Sequence, residues 1–444
     1  MSKKINASQE TNKIKARRDF LKTSAVMSSS LMTTLGSNLG LSGLLTGISN
    51  ASFAAEQNPN LQPSPMIVVF LRGGADGLAL LSPLDDPNFL ASRPPEMRFA
   101  IDKSANTALN LPALNLDGTN FYWHPAATSL ANLFNKKRLI AWQAVGIQDE
   151  TRSHFEAQEM IERGLQSLQS IPDPFGWMAR QVYLNKNQTG RATQATNQAT
   201  NQTNNAAAPY KQLPLFAGSN TMPRAMQGAS QVLAVRDLQG GVSFPGGPAA
   251  LKAVQTLGEV DNNHPAAQAM LGTFNTLEQV NLALPKTDNK VLPYLSAGAT
   301  PYPDSDPGAG LRSVARLMQI NLGLQYAWVD HNGWDTHDNQ PGRVNYLTNQ
   351  LGTALQAFDE DMQAQNRSYT LIVMTEFGRR LITNKSNGSD HGHGGLALVM
   401  GSKVPGGKTM GKWPGLATNQ LDRGVDLAVT TDYLKILQQA QAWI

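Results

Sequence analysis

Five short runs constrain this chain most: residues 66–71, 139–146, 324–331, 369–374 and 396–400 are apolar almost throughout. Continuous apolar runs of this length read as strands buried on both faces, as at the centre of a parallel sheet, and not as the alternating pattern of a sheet with one wet face. Helical patterns separate them. Leu347, Leu351, Leu355 and Phe358 recur at helical spacing, and Ser153 with Glu156 has capping-box spacing ahead of Phe155, Met160 and Ile161. Strand and helix alternate, which predicts an α/β fold: a doubly wound, mostly parallel sheet sandwiched by helices, in one domain over residues 55–444.

The runs end in chemistry. Residues 66–71 lead into Arg72-Gly73-Gly74-Ala75-Asp76-Gly77, and residues 139–146 into Asp149-Glu150-Thr151-Arg152-Ser153-His154. Asp330-His331 is followed by Gly333-Trp334-Asp335-Thr336-His337; Thr375-Glu376 closes the fourth run, and Asp390-His391-Gly392-His393 precedes the fifth. Ligands of open α/β sheets sit beyond the carboxyl ends of strands, so these segments are expected at one sheet edge. Five of the seven histidines lie in them. Imidazoles beside carboxylates suit Zn, Mn or Fe, and carboxylates alone suit Mg or Ca. Asp76 reads equally as a turn residue and His331 as a strand-end imidazole on a carbonyl, whereas for Asp335 and His337 two ligand-type residues two apart beside Gly-Trp outweigh the helix-cap reading. A lone buried carboxylate at Glu376 is costly, and the glycines around His391 and His393 permit close backbone approach. His124 and His264 read as structural or surface residues.

Charge and cysteine narrow the function. Residues 1–54 hold seven Lys/Arg against two acids, and the remaining chain carries 30 bases and 31 acids. No basic run survives past the start, so nucleic acid is not an expected partner. Without any cysteine, thiolate ligands, disulfides and a Cys nucleophile are excluded. Residues 185–208, almost all Asn, Gln, Thr and Ala, read as a low-complexity insertion.

Ala16-Arg17-Arg18-Asp19-Phe20-Leu21-Lys22 resembles a twin-arginine signal, with Ala in place of the usual leading Ser or Thr. The uncharged stretch that follows, closed by Ser52 and Ala54, completes a leader over 1–54. The expected consequence is export through the twin-arginine machinery to the periplasm or outside, with no membrane span after processing.

The ordered motifs Phe70–Gly77, Ser153–Gln158, Asp330–His337, Thr375–Arg379 and Asp390–Gly395, with Trp413–Leu416 and Thr430–Tyr433, together resemble the exported bacterial family of domain of unknown function 1501. That family is considered similar to the alkaline phosphatase and sulfatase superfamily. The resemblance implies an alkaline phosphatase-like sandwich, in which a hydroxyl attacks phosphorus or sulfur beside one or two divalent ions. It implies Thr151 as nucleophile, with Ser153 the alternative, and Arg152 as the oxyanion clamp. Asp76, Asp335, His337, Glu376 and His391 or His393 become the metal ligands. Phe377 departs from the superfamily, which carries His there. The tight Asp335-x-His337 spacing departs too, and no Cys-x-Pro-x-Arg motif exists.

The expected function is therefore an exported metal-dependent hydrolase of phosphate or sulfate esters, on a small-molecule or glycan ester. A non-catalytic binding or assembly protein on the same scaffold, or a phosphoryl-transferring mutase, is the alternative.

Overall fold

The computed structural model describes residues 64–99, 114–116, 119–168, 175–185, 213–244, 246–260 and 264–444. The leader over 1–54 and residues 186–208 of the low-complexity tract lie outside them. Two compact units are present. In the smaller, the described residues lie within Ser243–Glu278, with the helix Gly247–Val260, the start of the helix Pro265–Ala283, and Phe244 edge-on to Phe274.

The larger unit carries a nine-stranded sheet among its described residues. Its strands are β1 (Met66–Leu71), β2 (Leu139–Gly146), β3 (Leu215–Gly218), β4 (Val232–Ala234), β5 (Tyr326–His331), β6 (Thr370–Thr375), β7 (Gly395–Gly401), β8 (Lys408–Met410) and β9 (Thr431–Asp432). The order is β8-β2-β7-β6-β1-β5-β3-β4, with β9 also on β2. All pairings are parallel except those of β7, which runs against both β6 and β2. The fold is α/β with a mixed, mostly parallel sheet.

Helices cover both faces. Met66, Val68 and Phe70 of β1 share a core with α2 (His154–Arg163) and α5 (Tyr433–Gln441). On the other face Gly310 of α3 (Asp306–Ile320) lies against Val329, and α4 (Gln340–Ala364) packs on α3 and on α1 (Thr128–Asn135). This double cover is why six of six residues in β1 and eight of eight in β2 are buried. The ends obey local chemistry. Gly164 closes α2 at φ +69°, Ser305 caps the Gly308 amide of α3, and Asp432 caps Leu434 of α5. The capping box expected at Ser153 is not formed, because Glu156 accepts instead from the Thr151 hydroxyl.

The direction of β7 has a functional consequence. The loops after β1, β2, β5 and β6 leave at the carboxyl edge of the sheet. An antiparallel β7 starts at that same edge, so the His391–His393 segment before it joins the others. No described helix is long and apolar enough to cross a membrane.

Candidate functional site

Backbone packing at this edge needs glycine. A Cβ on Gly73, at φ +122°, would come within 2.2 Å of the Asp335 nitrogen, and one on Gly392 within 2.4 Å of the Arg379 carbonyl carbon. The loop after β1 thus lies on the loop after β5, and the 391–393 segment lies on residues 379–380.

Three imidazoles converge here with one carboxylate. The ligand atoms of His154, Asp335 and His391 all lie within 4.8 Å of one another. Asp335 Oδ1 is 3.6 Å from His154 Nε2, 3.1 Å from His337 Nε2 and 3.2 Å from His391 Nε2. The Nε2 atoms of His337 and His391 are 2.9 Å apart. Each Nδ1 faces outward to an oxygen. His154 Nδ1 meets Glu376 Oε1 at 2.9 Å, His337 Nδ1 meets Asp390 Oδ1 at 3.3 Å, and His391 Nδ1 meets the Arg152 carbonyl at 2.9 Å.

Those outer oxygens decide the tautomers. A carbonyl accepts only, so His391 Nδ1 carries hydrogen. Burial pushes the Glu376 carboxyl up, but hydrogen bonds from His154 and Gln158 hold it below its ordinary value. Asp390 is also held down, by Asn384 and then, against some burial, by His337. Both are therefore ionised acceptors at neutral pH, and all three Nδ1 atoms donate. In the neutral rings the Nε2 lone pairs then point at one another and at Asp335, a repulsive arrangement that a cation relieves. Ligating histidines hold their other nitrogen in this way. Atoms about 2.1 Å from one ion stand roughly 3.0–3.4 Å apart in octahedral or tetrahedral coordination, close to the 2.9, 3.1 and 3.2 Å spacings among Asp335, His337 and His391, while His154 Nε2 stands farther out, 3.6 Å from Asp335 Oδ1. His154 Nε2 is moreover a buried atom without a hydrogen-bond partner.

The charges around the group follow from its partners. Burial pushes Asp335 up, yet the hydrogen bond and charge of the Arg379 guanidinium, with the His391 and His337 imidazoles beside it, bring it down to about 2. The hydrogen bond to Glu376 raises His154 above the ordinary imidazole value, so a proton would compete with any cation for its Nε2. Burial lowers His391. Arg379, with a fully buried side chain, ties the loops together: Nε donates to Gly74 O, Nη1 to Ser389 O, and Nη2 to Gly73 O, Trp334 O and, at 2.5 Å, Asp335 Oδ1.

The residues named from sequence divide. Asp335, His337 and His391 come together. Glu376 stands one layer out: its oxygens take Gly73 N, His154, Gln158 and the Thr375 hydroxyl, which answers the cost of burying it. Asp76 stands apart. Its Oδ1 caps Leu78 N and Ala79 N, and its Oδ2 takes Arg93 Nη1 and Gln340 Nε2, each at 2.6 Å. His393 is spent on Asp422 at 2.9 Å and the Ile147 carbonyl at 3.0 Å, leaving no nitrogen for an ion. Arg152 is bonded to Asp426, Asp422 and the Glu150 carbonyl, and not open as an anion clamp. Thr151 donates to Glu156, and Ser153 begins α2 with a side chain that caps no amide. Phe377 lies as apolar packing beside His154 and His391, with ring centres 4.9 and 4.7 Å away.

A family model described as a protein of unknown function (DUF1501) matches residues 64–438. The chain belongs to that family. No curated protein matches it. Every DUF1501 residue of the converging group lies inside the match. His154 is the residue that sequence reasoning left without a role. Its signal was position: it opens α2 directly after the segment read for its hydroxyls. Arg379 had no signal beyond its motif.

Proposed function

We propose that this protein is an exported hydrolase of phosphate or sulfate esters on an alkaline phosphatase-like scaffold, with one divalent ion held by His154, Asp335, His337 and His391. One observation carries the reading: three Nε2 atoms, with their Nδ1 atoms committed outward, converge on one carboxylate oxygen. The donor set, nitrogen with one oxygen, suits Zn, Mn or Fe better than Mg or Ca. One ion is proposed because the carboxylates that a second would need are already occupied, Asp76 by Arg93 and Glu376 by His154 and Gln158.

When bound, the ion supplies Lewis-acid stabilisation of the charge that builds on the transferred group. The chain supplies the rest. Glu376, Asp390 and the Arg152 carbonyl orient the imidazoles, and Arg379 fixes Asp335. The Thr151 hydroxyl, which donates to the Glu156 carboxylate, is the nucleophile. Its oxygen bonds to phosphorus or sulfur, its proton passes to Glu156, and the leaving alkoxide is protonated from water. A second attack, by water, then frees the enzyme.

Turnover of 4-nitrophenyl phosphate and sulfate by the metal-loaded protein tests this. Thr151→Val is expected to lose about 100-fold or more in kcat, and Ser153→Ala to keep it. The reverse result makes Ser153 the nucleophile, and no turnover by wild type removes the hydrolase reading. Arg379 favours a second reading, a non-catalytic exported binding protein, because its guanidinium on Asp335 neutralises the carboxylate without any ion.

A further inference from the structure

An ester hydrolase of this kind needs a cation that reaches the oxygens of the substrate, and the arginine expected for that task is occupied. Arg152 is taken by Asp422 and Asp426. Arg379 is buried and spends its donors on carbonyls and Asp335. Arg72 is bound to Asp330 and Glu162. Arg380 and Arg423 are loosely held, but their ion pairs lead to Asp426, Glu150 and Asp422 at 3.9, 3.7 and 3.8 Å and not to Asp335.

Resting on the proposed ester chemistry, we infer that Arg343 is the residue that binds the anionic group of the substrate. Its Nη1 donates to the Asp335 main-chain carbonyl at 3.2 Å, which places the guanidinium at the rim of the converging group. Its other contact is Asp338, with Nη2 at 3.1 Å. Arg343 is 44% and Asp338 62% exposed, so solvent screens the pair and it holds the guanidinium weakly. A guanidinium has five N–H donors in a planar fork. Two are engaged here, and the others remain for two oxygens of a phosphate or sulfate group.

The helix dipole gives no reason for this residue. Arg343 lies in the first turns of α4, at the positive end of the helix dipole, where a cation is unfavourable. The helix has no acidic residue in that first turn and no side-chain cap from Asn339. A surface role would be served better by Glu or Ser. Recognition of an anion beside the Asp335 group accounts for a cation at this position.

The test uses the full processed chain, as wild type, Arg343→Gln and Arg343→Lys. Metal per chain is measured by elemental analysis, thermal midpoint by calorimetry, and affinity for inorganic phosphate and, separately, inorganic sulfate by titration calorimetry. The expected result for Arg343→Gln is unchanged metal and midpoint with phosphate binding weakened about 10- to 100-fold. Arg343→Lys should recover part of the loss, since it keeps the charge and loses the fork. A larger loss for sulfate than for phosphate would assign the site to sulfate esters. Unchanged affinity in Arg343→Gln, no phosphate or sulfate binding by wild type, or loss of metal with the substitution would each overturn the inference. The last would mean that Arg343 only braces Asp335. A wild type without metal removes the metal-dependent reading alone, and Arg343 is then judged by whether anion binding still depends on it.

Discussion

Asp76 and Asp335 stand at the carboxyl ends of neighbouring strands, each after a glycine turn and each bonded to a buried arginine, yet they serve different ends. Asp76 is sealed, with a fully buried side chain and four donors on its two oxygens. Asp335 is half exposed, and its Oδ1 meets Arg379 and three imidazole nitrogens. The difference is in what surrounds the carboxylate: Asp76 has filled its acceptor sites within the protein, whereas Asp335 faces lone pairs that only a proton or a cation can reconcile. A carboxylate at a strand end is a site when the fold leaves it short of donors.

The largest effect comes from breaking the sealed pair. Asp76→Ala strands the Arg93 guanidinium, whose side chain is also fully buried, and is expected to cost about 3–5 kcal/mol in urea unfolding. Asp335→Asn should cost less, about 1 kcal/mol, because the amide keeps an oxygen for Arg379, whose other donors stay on four main-chain carbonyls. Equal losses at the two positions would remove the contrast.

Next comes pH, where the buried imidazoles separate from His154. Burial lowers His124 to about 4 and His331 to about 3. Both are neutral when folded and take up a proton near pH 6.5 when unfolded, so stability falls as pH drops below that value. Each contributes roughly 1.4 kcal/mol per pH unit, levelling off near its folded value. His154 has the opposite sign: its raised pKa favours the fold at low pH and loses that contribution as pH rises. A net decline in urea midpoint from pH 6.5 to 5 is expected. A flat profile would contradict the dominance of the buried pair.

The smallest effect tests the outer layer of the group. Glu376→Gln keeps the shape but removes the charge behind His154 Nδ1, and should weaken metal affinity about 10- to 100-fold. Unchanged affinity would mean that His154 needs no orienting partner.

This contrast also explains what the sequence revealed. The strands were legible because burial on both faces leaves an uninterrupted apolar run, and so were Asp335, His337 and His391, which sit in compact motifs. The reversed direction of β7 was not, since an apolar run is the same read either way. Asp76 and His393 were drawn toward the ligand set because their partners, Arg93 and Asp422, lie in segments with no visible motif. His154 was within view, but the hydroxyls beside it drew the assignment.

Elemental analysis of the protein purified from its native host, as wild type and Asp335→Asn, decides whether the Asp335 group holds an ion. Close to one Zn, Mn or Fe ion per wild-type chain is expected, with loss of that ion in a variant that remains folded. Folded wild type without metal, or metal retained in Asp335→Asn, would contradict it.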